Sequence, residues 1–145
     1  MSTRLAYGEP AVAPAPPPLT TPPLTRTDFV RYQGASGDVN PVHHDDTYAR
    51  AVGFPSVFAP GMYAAGMMAT YLTDWLGLPN IRRYAARFRD QAWPGDQLTF
   101  TASVARMEER GTERRAFVEA TCDLGDGRTL LVAEATFLVP ARELG

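Results

Sequence analysis

Gly61-Met62-Tyr63-Ala64-Ala65-Gly66-Met67-Met68-Ala69-Thr70-Tyr71-Leu72 decides the fold. At helical spacing this stretch is apolar or small nearly all round, so a helix built from it must be enclosed on most sides. It lies within residues 51–73, which carry no formal charge. A membrane span needs about 20 mostly apolar residues. Pro55, Pro60, three glycines and several small or polar residues make the run a poor candidate for one. The reading is a helix over Met62–Gly77, opened by Gly61 and buried in a water-soluble core.

Past Pro79 the period changes from helical to two. Tyr84, Ala86 and Phe88 alternate with arginines and Ala85. Leu98, Phe100, Ala102 and Val104 form a second alternating set. Ala116, Val118, Ala120, Cys122 and Leu124 form a third, and Leu131, Ala133, Ala135 and Phe137 a fourth. Strict alternation is the mark of half-buried strands. Pro94-Gly95-Asp96, Arg110-Gly111-Thr112 and Gly125-Asp126-Gly127 separate them as turns. One buried helix followed by four antiparallel strands predicts an α+β fold, with a sheet curled around that helix.

Upstream, residues 1–24 hold seven of the thirteen prolines. Pro10 to Pro23 cannot form a helix interior or a central strand. This part reads as an extended arm with a short edge strand near Leu19 to Leu24, leaving residues 25–145 as a single domain. Thr27 reads as an N-cap with Asp28 in the first turn, so Thr27–Gln33 is expected as a short helix ended by Gly34 and Gly37. Asp45 or Asp46 caps another through Arg50.

A chain of 145 residues with 45% hydrophobic and 21% charged residues suits one globular domain with one core. The net charge of −2 gives no general attraction to nucleic acid. A single cysteine, Cys122, excludes an internal disulfide and a multi-cysteine metal site. Arg4 is followed by prolines rather than an apolar segment, so no signal peptide is read and a cytoplasmic location is expected.

Between the two short helices lies Gly37-Asp38-Val39-Asn40-Pro41-Val42-His43-His44-Asp45. Residues five apart sit on different faces of a regular helix, and Pro41 pushes Asn40 out of helical geometry. The segment must turn, and the turn can bring Asp38 and His43 to one point, the minimum for moving a proton on and off a substrate. Asn40 and Asp45 are suited to closing the turn through backbone hydrogen bonds. His43 and His44 are adjacent and lack the i,i+4 spacing of helical metal ligands, so no metal is expected.

From about Thr25 onward the chain resembles the MaoC-like (R)-specific enoyl-CoA hydratase/dehydratase family, of hot-dog fold. The resemblance rests on Tyr32, on Ala35 to Asp45, on Gly53-Phe54 and on Gly61-Met62. It implies that Asp38 and His43 are the catalytic pair, that Asn40 supports their turn, and that the Gly61 N–H polarises the thioester carbonyl. Gly61 stands where helix-start N–H groups and the helix dipole favour negative charge. The family usually has His before Gly-Met, and this chain has Pro60, which is comfortable at a helix start. The implied reaction is reversible hydration of a trans-2-enoyl thioester, with coenzyme A or a phosphopantetheine carrier as substrate and no separate cofactor. The resemblance also implies a dimer, of two copies or with another hot-dog subunit. A non-catalytic acyl-binding subunit and a hot-dog thioesterase are the alternatives.

Arg82, Arg83, Arg87 and Arg89 allow two readings, a solvated strand face or a rim for the substrate's phosphates, with Arg83 and Arg87 as candidates. Met62 is a candidate for the acyl channel, because methionine fills irregular apolar space. Trp75 and Trp93 read as packing residues, Cys122 as inert, and His44 as a residue of the solvent side or the turn.

Overall fold

The computed structural model describes residues 14–139. Helix α1 spans Arg26–Ser36. Its N-cap is Thr25, not Thr27: Thr25 Oγ1 accepts from the Asp28 N–H at 3.2 Å, and the Asp28 carboxylate accepts from the Thr25 N–H at 2.8 Å. Only Thr25 has an acid three residues on, the spacing that lets both groups cap each other. The helix runs through Gly34 and stops at Gly37, whose φ is 77° and whose N–H donates to the Gln33 carbonyl at 2.9 Å. Of Gly34 and Gly37, only Gly37 has the positive φ that ends a helix.

A 3-10 turn follows at Pro41–His43. Helix α2, Asp46–Ala51, is capped by Asp45 Oδ1, which accepts from the Thr47 and Tyr48 N–H groups at 2.9 and 3.1 Å. Helix α3, Gly61–Leu76, is the expected long helix, begun one residue early and ended before Gly77. None of the described helices is long and apolar enough to cross a membrane.

Five antiparallel strands form one sheet: β1 (Leu19–Thr20), β2 (Ile81–Phe88), β3 (Leu98–Arg110), β4 (Glu113–Leu124) and β5 (Thr129–Val139). Their order is β1-β3-β4-β5-β2, so β1 and β2 are the edges. The period-two residues align across strands as expected. Leu19, Phe100, Cys122, Leu131 and Phe88 form one transverse row. Ala102, Ala120, Ala133 and Ala86 form the next. Small residues in that row, with the buried Ala64 and Ala65 of α3, let helix and sheet approach closely. Helix α3 packs against β2, β3, β4 and β5. Tyr84 ties β2 to it, donating to the Ala65 carbonyl at 2.7 Å.

The expected enclosure of α3 on most sides is not met within one chain. Ala64, Ala65, Met68, Tyr71, Leu72, Trp75 and Leu76 are buried, but Met62, Gly66 and Thr70 face outward. A sheet that curls from one side covers one face of a helix. The arm joins the fold from Pro16: its carbonyls at Pro16 and Pro17 lie 3.4 and 3.0 Å from the Tyr71 hydroxyl, and Thr21 and Leu24 are buried.

Candidate active site

Each end of the Asp38–His43 turn is fixed by backbone. Asp38 Oδ1 accepts from the Asn40 N–H at 3.3 Å, and Asn40 Oδ1 accepts from the Val42 N–H at 3.1 Å. The Asn40 carbonyl accepts from the His43 N–H at 3.2 Å. Asn40 thus braces the turn from both sides, and Asp38 Oδ2 is left 3.8 Å from His43 Nε2.

His43 is 7% exposed, whereas the Asp38 side chain is 46% exposed. The other ring nitrogen, Nδ1, lies 2.8 Å from the Phe58 carbonyl. A carbonyl only accepts, so Nδ1 carries the proton of the neutral ring and Nε2 presents a lone pair toward Asp38. The Phe58 ring meets the imidazole edge-to-face at 5.0 Å, with Phe54 and Trp93 packed against Phe58 at 4.7 and 5.7 Å. This apolar block packs against His43, whose Nε2 faces Asp38. A separation of 3.8 Å is too long for a direct hydrogen bond.

Phe58 also links His43 to the start of α3. Gly61 lies three positions further along the chain, a reach of about 11 Å at most. The Ala59 N–H donates to the Ala92 carbonyl at 2.8 Å, which pins this connection. Arg128 holds the same loop through Asp90 and Asp96, each at 3.2 Å. Pro60 is buried, and no side chain caps the helix after it. Gly61 and Met62 are exposed, Met62 at 60%, while the Tyr63 N–H donates back to the Pro60 carbonyl at 3.0 Å. What approaches Gly61 most closely within the chain is the Phe88 ring, 3.1 Å from where a Cβ would stand.

The structure brings together Asp38, Asn40 and His43, and joins them through Phe58 to Gly61 and Met62. It does not bring Arg83 and Arg87 to them. With Tyr84 and Phe88 turned toward α3, the period of two sends Arg83, Arg87 and Arg89 to the opposite sheet face. There they line a groove of about 600 Å³ with Thr101, Ser103 and Glu134. Arg83 lies 3.7 Å from Glu134. Within one chain the two arginines thus stand on the sheet face opposite α3. His43 and His44 diverge, as their adjacency implied, His44 Nδ1 reaching Gln33 Oε1 at 3.0 Å. Two contributors carried no sequence signal. Phe58 acts through a carbonyl, which every residue has. Gln33 is buried and also donates to the Asn40 carbonyl at 3.0 Å, a contact that depends on how α1 meets the turn.

Residues 8–123 match the family model described as MaoC like domain. An (R)-specific enoyl-CoA hydratase of Rhodospirillum rubrum is 29% identical over 123 residues, covering 82% of each chain. A 3-hydroxybutyryl-CoA dehydratase of Methylorubrum extorquens is 31% identical over 123 residues, 83% of this chain and 76% of that protein. Among solved structures, a chain of the ChsH1–ChsH2 complex from Mycobacterium tuberculosis superposes with a TM-score of 0.77 at 23% identity, covering 90% of this chain and 99% of that one. The shared architecture is the hot-dog fold, one antiparallel sheet around one helix.

Proposed function

The chain belongs to the MaoC-like domain family, and from that premise we propose that it hydrates trans-2-enoyl thioesters reversibly to (R)-3-hydroxyacyl thioesters. The relatives named as hydratase and dehydratase support the reaction class. The observation that carries the reading is the 3.8 Å approach of Asp38 Oδ2 to His43 Nε2, with the other imidazole nitrogen engaged by Phe58.

In this mechanism Asp38 and His43 hold one water. As its oxygen bonds to C3, the C2–C3 π electrons move into the thioester carbonyl and His43 Nε2 takes the released proton. The enolate oxygen is stabilised by the Gly61 N–H and the α3 dipole. Asp38 balances the imidazolium, and the proton returns to C2 as the enolate collapses. The sum is one water added, OH at C3 and H at C2. Met62, exposed beside Gly61, borders the acyl group. The acyl carrier is coenzyme A or a phosphopantetheine arm, and no further cofactor takes part. The open face of α3 and the free β2 edge are covered by a second hot-dog subunit, another copy or a related chain.

Mixing the protein with a short trans-2-enoyl-CoA tests this. Hydration removes the conjugated-enoyl absorbance, hydrolysis by a thioesterase frees a thiol, and a binding subunit does neither. Asp38→Asn and His43→Gln are each expected to lower the hydration rate by about a hundredfold or more while leaving the protein folded. Near-normal rates in both variants would remove the pair from the mechanism.

A further inference from the structure

We infer that Gln33 is a positioning residue for the Asp38/His43 pair; the inference rests on the hydratase reading for its kinetic part and on the turn's geometry for the rest. Gln33 is 4% exposed at the C-terminal end of α1. Its Nε2 donates to the Asn40 carbonyl at 3.0 Å, and its Oε1 accepts from His44 Nδ1–H at 3.0 Å. The amide orientation follows from the partner, since the Asn40 oxygen can only accept. Its own carbonyl takes the Gly37 N–H at 2.9 Å. One side chain therefore grips the residue before the 3-10 turn and the residue after it, and its backbone anchors the glycine that precedes Asp38.

The decisive contact is with Asn40. The oxygen that receives Gln33 Nε2 also receives the His43 N–H, at 3.2 Å. The N–H of the same Asn40 holds Asp38 Oδ1 at 3.3 Å. Rotation of this residue's peptide units would move the carboxylate and the imidazole relative to each other. The exposed Asp38 carboxylate is held by that Asn40 N–H and faces His43, while the Asp38 N–H donates to Ser36 Oγ at 3.2 Å. Gln33, fixed in a rigid helix, is the group outside the turn that holds Asn40 in place. It touches neither substrate nor the reacting water, so its effect falls on geometry. Misplacing a catalytic group by about 1 Å can cost about a hundredfold in rate.

Two substitutions separate the contacts. Gln33→Met keeps length and burial and removes both hydrogen bonds. Gln33→Glu at pH 8 keeps an acceptor for His44 and removes the donor to Asn40. Both variants are expected to lower kcat by about 10- to 100-fold with KM within about twofold of the parent value, while active-site titration and melting temperature show the same fraction of folded chain as in the parent. A crystal structure of either variant is expected to show the Asp38–His43 separation displaced from 3.8 Å or the turn in two conformers. Parental kcat in either variant, or a turn that stays in place, overturns the inference. If the parent chain hydrates no enoyl thioester and matches Asp38→Asn, the hydratase reading fails instead. The displaced or undisplaced turn then still decides the role of Gln33.

Discussion

Gly61 answers two demands, and the two are separable. A Cβ there would stand 3.1 and 3.2 Å from Phe88 Cε1 and Cζ, so the ring alone is reason for glycine. Phe88 is 47% exposed at the end of an edge strand, so its ring can swing aside. Close approach of a thioester oxygen to the helix N-terminus is the second reason. Gly61→Ala is expected to slow hydration at least about tenfold. Adding Phe88→Ala is expected to recover melting temperature but not rate. Full recovery of kcat/KM in the double variant would leave the glycine a packing role only. The Gly61-Met62 pair was legible as a helix start, whereas the Phe88 contact was not, because it depends on where β2 lands beside α3. Cys122 was legible by alternation alone. It is fully buried, and burial, with Asp123 nearby, pushes its thiol up to about 12. A thiol reagent at pH 8 is expected to leave it unmodified until the chain is unfolded by denaturant; rapid labelling of the native protein would contradict that burial.

At the scale of elements, the start of α1 couples structure to pH. The Thr25 hydroxyl, then the Thr25 backbone N–H, hold the Asp28 carboxyl below the usual carboxylate range, against a smaller opposing effect of burial. A depressed folded value means that the stabilisation is complete above the unfolded value of about 3.9 and is lost as pH falls through the folded one. Thr25→Ala is expected to cost about 1 kcal/mol at pH 7, and the gap from the parent to narrow as pH falls from about 5 to about 2. Urea unfolding across that range checks it, and a gap independent of pH would mean that Asp28 takes no part in the cap. The pair Thr25 and Asp28 was readable as a capping box. The expectation of Thr27 took the threonine adjacent to Asp28, whereas the reciprocal cap needs the acid three residues on, as from Thr25 to Asp28. The strands were legible because Phe100, Cys122 and Leu131 each fall on the apolar phase of an alternating run, and they meet in one row. Period fixes the face a side chain takes but not what lies across from that face. For that reason Arg83 and Arg87 could be assigned to a strand, while the groove they line with Thr101, Ser103 and Glu134 could not be read.

The whole molecule has two unlike edges. At β1 only Leu19 and Thr20 pair with the sheet, flanked by Pro16, Pro17, Pro18, Pro22 and Pro23, which have no N–H to offer another strand. At β2 eight residues from Ile81 to Phe88 run without a proline. The same side of the molecule carries the outward face of α3, where Met62, Gly66 and Thr70 present no charge. A helix face uncharged from Met62 to Thr70, ahead of the exposed Asp74, next to an unblocked strand edge is the surface a second hot-dog chain can cover, which closes the sheet edge and excludes water from the first turn of α3. The expected state is a pair of 15.8 kDa chains in sedimentation. Raising the concentration through the dissociation range should slow hydrogen exchange in residues 81–88 and 62–70, and leave Leu19–Thr20 unchanged. Hydration per chain should rise over the same range if the first turn of α3 must be covered to work. A monomer of full activity at every concentration, with β2 amides exchanging freely, would show that one chain completes the site alone.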